Sequence, residues 1–192
     1  MKLLLLCLLT PLILQSQIQP QNEIGASIGY SWSEIIKTEA LIGRPAYTFE
    51  NSFIYSFHFR TRIYEQWKIE TGISYMNTKL VITPSPLIPR LPARVESYEL
   101  ITIPISIVYV INHYLNFSSG LFIDLQHTTN SFAEQTGIGL NIGTNTEYPI
   151  DRINLFMNPY IHLHGFQTFT SDKGKERLLE AGVRFGMKYT ID

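Results

Sequence analysis

Residues Glu23–Ser33, EIGASIGYSWS, alternate without a break. Ile24, Ala26, Ile28, Tyr30 and Trp32 share one parity; Gly25, Ser27, Gly29, Ser31 and Ser33 share the other. Successive side chains of a strand point to opposite faces, so this stretch reads as a strand with one oily face and one small, polar face. The pattern returns in Thr48–Arg62, Trp67–Thr78, Tyr98–Ile111, Leu115–Gln126, Thr136–Thr146, Ile153–His164 and Leu179–Tyr189. Each run is close to the ~9–11 residues that cross a bilayer at a tilt. The expectation is all-β: an eight-stranded antiparallel up-and-down transmembrane β-barrel over residues 23–192.

Connection lengths carry a second signal. Short links are expected near Ile63–Gln66, Asn112–Tyr114 and Tyr148–Arg152, and long ones at Glu34–Tyr47, Leu80–Ser97, His127–Gln135 and Phe166–Arg177. Short periplasmic turns alternating with long outside loops are the habit of even-stranded outer-membrane barrels.

Alternation alone does not say which face is outside, since a lipocalin-like cup turns its oily face inward around a ligand. Three features favour lipid outside. The polar parity is rich in Gly, Ser and Asn, which suit a narrow interior better than a wet exterior. Aromatic residues gather at strand ends, with Trp32, Phe49, Tyr75 and Tyr98 expected at the loop end and Tyr64, Trp67, Tyr109, Tyr114, Tyr148 and Tyr189 at the turn end, as interfacial girdles require. The oily parity is free of charge through the middle of every strand, where a charge would cost about 2–4 kcal/mol.

The N-terminus fits export. Met1-Lys2 precedes the apolar run Leu3–Leu14 and then polar Gln15-Ser16-Gln17, the order of a secretory signal peptide over residues 1–17. Cys7, the single cysteine, falls inside it, which leaves no thiol for disulfide chemistry in the mature chain. Charged residues are 16% of the chain against about 25% in soluble domains. A net charge of −1 gives no footprint for nucleic acid.

The segment YELITIPISIVYVINHYLNFSSGLFIDL, Tyr98 to Leu125, resembles the small outer-membrane β-barrels of the PorT-like and OmpA/OmpX-like kind, in which a Tyr-x-x-Ile-Pro-Leu-like strand enters a short turn and then an aromatic–Gly strand. EAGVRFGMKYTID, Glu180 to Asp192, is similar to that family's last strand, although here Asp192 comes last and Tyr189 is the nearest aromatic. The resemblance implies the fold and location in the bacterial outer membrane, with membrane lipid as the surrounding partner. It implies no catalytic residues, since one fold hosts many functions.

Parity sends His58, Arg60, Arg62, Lys68, Glu70, Asp124, His162, His164, Glu180, Arg184 and Lys188 into the lumen, with Arg60 opposite Glu70 and Arg62 opposite Lys68 across the turn at Glu65. Charges in so tight a space must be paired or hydrated, and eight strands leave room for little beyond side chains. A polar plug is therefore expected, with a selectivity lining as the alternative. His162-x-His164 lacks a third metal ligand on parity grounds, because His58 falls in the lower half, so neither metal nor cofactor is expected. A rim-sited lipid-modifying enzyme would need a base and nucleophile such as Asp124, His127 and Ser131, or His164, Ser171 and Asp172. Gly137-x-Gly139 sits inside a strand and is no phosphate loop. Thr83–Val95 holds four prolines, and Leu87, Ile88 and Leu91 make a candidate docking patch on a stiffened loop. The function expected is a monomeric, non-enzymatic outer-membrane scaffold. Its outside loops would meet a partner or surface, or it would assist secretion; the rim enzyme and a secreted lipocalin-like carrier are the rivals.

Overall fold

The computed structural model describes residues 21–37, 46–85, 92–127, 135–169 and 176–191; residues 1–17, expected as a signal peptide and including Cys7, lie outside these. Nine strands follow one another: β1 (Asn22–Lys37), β2 (Ala46–Phe49), β3 (Ser52–Tyr64), β4 (Trp67–Thr83), β5 (Arg94–Val110), β6 (Leu115–Gln126), β7 (Gly137–Ile150), β8 (Ile153–Thr168) and β9 (Glu176–Ile191). Each of the eight long strands pairs antiparallel with its neighbour in sequence, β4 with β5 included, and β1 with β9 shuts the ring. Closure satisfies backbone groups that hydrocarbon could not. Tight turns close one end. At one of them Asn112 Oδ1 accepts from the backbone N–H groups of Tyr114 and Leu115 at 2.8 and 2.9 Å. At another, Asp151 takes up the left-handed conformation with φ 53°.

The short strand β2, separate from β3, corrects the expectation of a continuous Thr48–Arg62. Phe49 pairs with Leu80, whereas Phe53 pairs with Asn77. Four steps on one strand thus oppose three on the other, which is a β-bulge. Glu50 and Asn51 lie in it, with the Glu50 N–H donating to the Lys79 carbonyl at 2.9 Å and the Thr78 hydroxyl donating to the Glu50 carbonyl at 2.8 Å. One added residue exchanges faces. Phe49, expected in the outer girdle, therefore turns inward and meets Tyr98 edge-on with ring centroids 5.2 Å apart. Tyr98 was expected in the girdle as well; it is fully buried inside the barrel. Its even number puts it on the parity of Thr102 and Ser106, and that parity faces the lumen.

The strands also run further at the loop end than their alternation indicates. β4 continues to Thr83 and β5 starts at Arg94, so much of the expected loop Leu80–Ser97 is a hairpin, and β1, β8 and β9 are longer in the same direction. Toward the loop end both faces are mixed, with Asn77 and Lys79 outside and Leu80 and Ile82 inside. The period-two signal fades there while the backbone ladder goes on.

Three prolines sit within strands, Pro104 in β5, Pro149 in β7 and Pro159 in β8. Proline offers no N–H to a ladder. Beside Pro159 the Asn158 side-chain amide fills the gap, donating to the Thr144 carbonyl at 2.8 Å. Asn158→Ala is expected to cost about 1–3 kcal/mol by leaving that carbonyl without a donor. Urea titration of the barrel in detergent micelles checks this, and a loss below about 0.5 kcal/mol would mean that the amide is dispensable.

The outer face is the oily one. Ile28 and Phe57 stand 48% and 52% exposed, while the polar parity of the strands is buried or half-buried. Val183, half-buried, lines an open apolar groove on the same outer surface with Trp32, Phe117 and Ile161. A lipocalin-like carrier would gather these side chains around an internal cavity, so that alternative is set aside. Trp67 and Tyr109 meet at a tilt at the turn end, 4.8 Å between centroids, with Tyr64, Tyr114, Tyr148 and Tyr189 exposed at the same end.

Candidate functional site: the packed lumen

An eight-stranded ring has an interior about as wide as the side chains that fill it. Here the filling comes in three layers. Nearest the turns, β1, β3, β4, β7 and β9 send in three carboxylates and three cations. Arg60 is 1% exposed; its Nε and Nη2 meet Glu70 Oε2 at 2.7 and 2.6 Å, and its Nη1 meets Glu147 Oε1 at 2.6 Å. Lys188 Nζ donates to the same Glu147 oxygen at 2.8 Å and lies 4.3 Å above the Phe156 ring. Lys68 Nζ donates to Glu23 Oε1 at 2.5 Å, and Glu23 Oε2 lies 3.6 Å from Arg60. His58 Nε2 shares a 2.8 Å hydrogen bond with Ser27 Oγ, and its other nitrogen is 3.9 Å from Glu70.

The middle layer is built by β5, β6, β8 and β9. His164 bridges two carboxylates, Nδ1 to Asp124 Oδ2 at 2.8 Å and Nε2 to Glu180 Oε2 at 2.9 Å. Thr102 donates to the second Asp124 oxygen at 2.7 Å, and the Tyr160 hydroxyl donates to the second Glu180 oxygen at 2.5 Å. Arg184 Nη2 donates to His162 Nε2 at 3.1 Å, with its guanidinium 4.1 Å above the Tyr160 ring. Phe122 packs against both imidazoles, at 5.0 and 4.9 Å. Above this layer Leu80, Ile82, Tyr98, Leu100 and Leu178 form an apolar cap, joined by Ile54, Met76 and Tyr160.

Of the residues that parity sends inward, His58, Arg60, Lys68, Asp124, His162, His164, Glu180, Arg184 and Lys188 are buried in these layers, and Arg62 and Glu70 are half-buried. Arg60 and Glu70 are direct register partners, as are Arg62 and Lys68. Sequence reasoning missed Glu23 and Glu147. Both carry the inward parity of their strands, Glu23 with Gly25 and Glu147 with Asn145, but Glu23 is the first residue of its alternating run and Glu147 lies just past the end of Thr136–Thr146. The apolar cap was missed too, because an inward leucine breaks the rule that the inner face is polar.

The rim constellations look different. Asp124 is fully buried and engaged by His164 and Thr102, whereas His127, three positions on, is exposed, with its backbone N–H on the Glu99 carbonyl. The two do not meet. Ser131, Ser171, Asp172 and the docking candidates Leu87, Ile88 and Leu91 lie outside the described residues.

No protein-family model matches the chain, and no curated protein matches it in sequence. Among solved structures it is similar to the outer membrane protein OprG from Pseudomonas aeruginosa, with a TM-score of 0.54 and 10% identity over 89% of this chain and 95% of that one. Ail, the attachment invasion locus protein of Yersinia pestis, gives 0.48 at 14% identity, covering 88% and 99%, and AlkL in lipid bilayers gives 0.49 at 11%, covering 90% and 91%. At such identities the likeness is one of fold. The architecture, an eight-stranded ring with an oily exterior, is that of a β-barrel of the bacterial outer membrane.

Proposed function

We propose that this chain is a monomeric, non-enzymatic scaffold of the outer membrane, of the PorT-like or OmpA/OmpX-like kind, whose outside loops engage a surface or secretion partner. The observation that carries the reading is the filled lumen. Salt-bridged layers and an apolar cap occupy the space an aqueous channel would need, and the cavity between Ser74, Thr102, His162 and Arg184 has a volume of only about 10 Å³. That is room for about one water molecule. A barrel of this kind has its loops to work with, and β4 and β5 stay paired toward the loop end as far as Ile82 with Arg94.

Two measurements test the reading. In planar bilayers the purified barrel is expected to give no steady conductance, and a reproducible open level would replace the scaffold with a pore. Capture of partners from intact outer membrane is expected to drop when residues 85–93 are deleted from a barrel that keeps its heat-dependent gel mobility. Undiminished capture would reject docking by this loop.

A further inference from the structure

We propose that His162, His164 and Glu180 form a zinc-binding site inside the barrel, with Asp124 orienting His164 behind it. His162 and His164 are two apart on β8 and so share the inner face, and Glu180 is the direct register partner of His162 on β9. This is the third ligand that parity alone did not supply. The three donor atoms lie within 4.8 Å of one another, His164 Nε2 at 2.9 Å and His162 Nδ1 at 3.9 Å from Glu180 Oε2. Zinc–ligand bonds of about 2.0–2.2 Å place tetrahedral donors roughly 3.3–3.5 Å apart, so these distances straddle what the ion needs.

The surroundings agree. Metal-bound histidines characteristically present their other N–H to a carboxylate, and Asp124 Oδ2 already takes the Nδ1 proton of His164 at 2.8 Å. The ~10 Å³ cavity borders both His162 and Glu180 and has room for a water as fourth ligand. Proton accounting is simple. His164 bridges two carboxylates and so carries a proton on each nitrogen; zinc replaces the one on Nε2, which leaves to solvent. His162 accepts from Arg184 through Nε2, so its own proton is on Nδ1. Zinc at Nδ1 shifts that proton to Nε2 and turns Arg184 aside, toward the Tyr160 ring it already covers. Nitrogen donors select a first-row transition ion over calcium or magnesium.

The test uses the whole barrel, stripped of metal and refolded in detergent with and without Zn²⁺, because the site is sealed once the ring closes. Equilibrium dialysis with elemental analysis is expected to find one zinc per barrel after refolding with the ion. His162→Gln is expected to abolish uptake, and Asp124→Asn to weaken it about 10–100-fold. Wild-type barrel without zinc, or His162→Gln retaining it on exposed His113 or His127, overturns the proposal. Should the variants not fold, Co²⁺ in the wild type decides: intense tetrahedral bands support the site, and the pale octahedral spectrum overturns it.

Discussion

Arg60→Met is expected to destabilise the barrel by about 3–5 kcal/mol, the largest loss of any single lumen substitution considered, because it strands buried carboxylates instead of removing one bond. Arg60 touches Glu70 and Glu147 at 2.6 Å and faces Glu23 at 3.6 Å. With the guanidinium gone, three acids share two lysines in a space where neither sign is well solvated. The double variant Arg60→Met/Glu70→Gln restores the balance, leaving Glu23 and Glu147 against Lys68 and Lys188, and is expected to recover most of the loss. Urea midpoints in micelles, with heat-dependent gel mobility as the sign of a closed ring, measure both. Equal losses in the single and double variants would show that packing of the Arg60 stem, and not charge balance, is what matters at this position.

Phe57→Arg carries the second large effect. Phe57 sits midway along β3, 52% exposed, opposite Ile73 of β4 and Ala26 of β1. In a water-soluble protein a substitution at so exposed a position would fall within about 0.5 kcal/mol. At the midplane of a bilayer arginine costs about 2–4 kcal/mol, and near the interface about 0–1. Refolding into lipid vesicles should therefore separate Phe57→Arg from Tyr148→Arg, whose site is 64% exposed at the turn end. Equal tolerance at the two positions would mean that the oily belt is not immersed in hydrocarbon.

The architecture was largely legible because alternation reports facing directly. A residue's parity decides whether it meets lipid or lumen, and eight runs with alternating link lengths leave few topologies. Parity carries no such signal where one face stops being chemically distinct from the other. Phe49 carries no mark of the bulge at Glu50–Asn51 that reverses it, since an extra residue changes register without changing composition. Tyr98 has the chemistry of an interfacial ring but the parity of the lumen, and parity decides its place. Glu180 escaped notice as a partner of the histidines for another reason. Its place beside His162 is set by the register of β8 on β9, and the link between these strands is too long for turn chemistry to fix that register in advance.

The seam between β1 and β9 runs through sixteen consecutive pairs, from Asn22 with Ile191 to Lys37 with Glu176. It joins the two most distant parts of the described chain, so its contacts are the least local the molecule makes and carry the heaviest loop-closure entropy. Until this seam zips, any partly assembled ribbon displays two bare rows of amide and carbonyl groups to a solvent that offers neither donor nor acceptor. Insertion and closure are then a single cooperative event, and an arrested half-barrel would be an aggregation template in waiting.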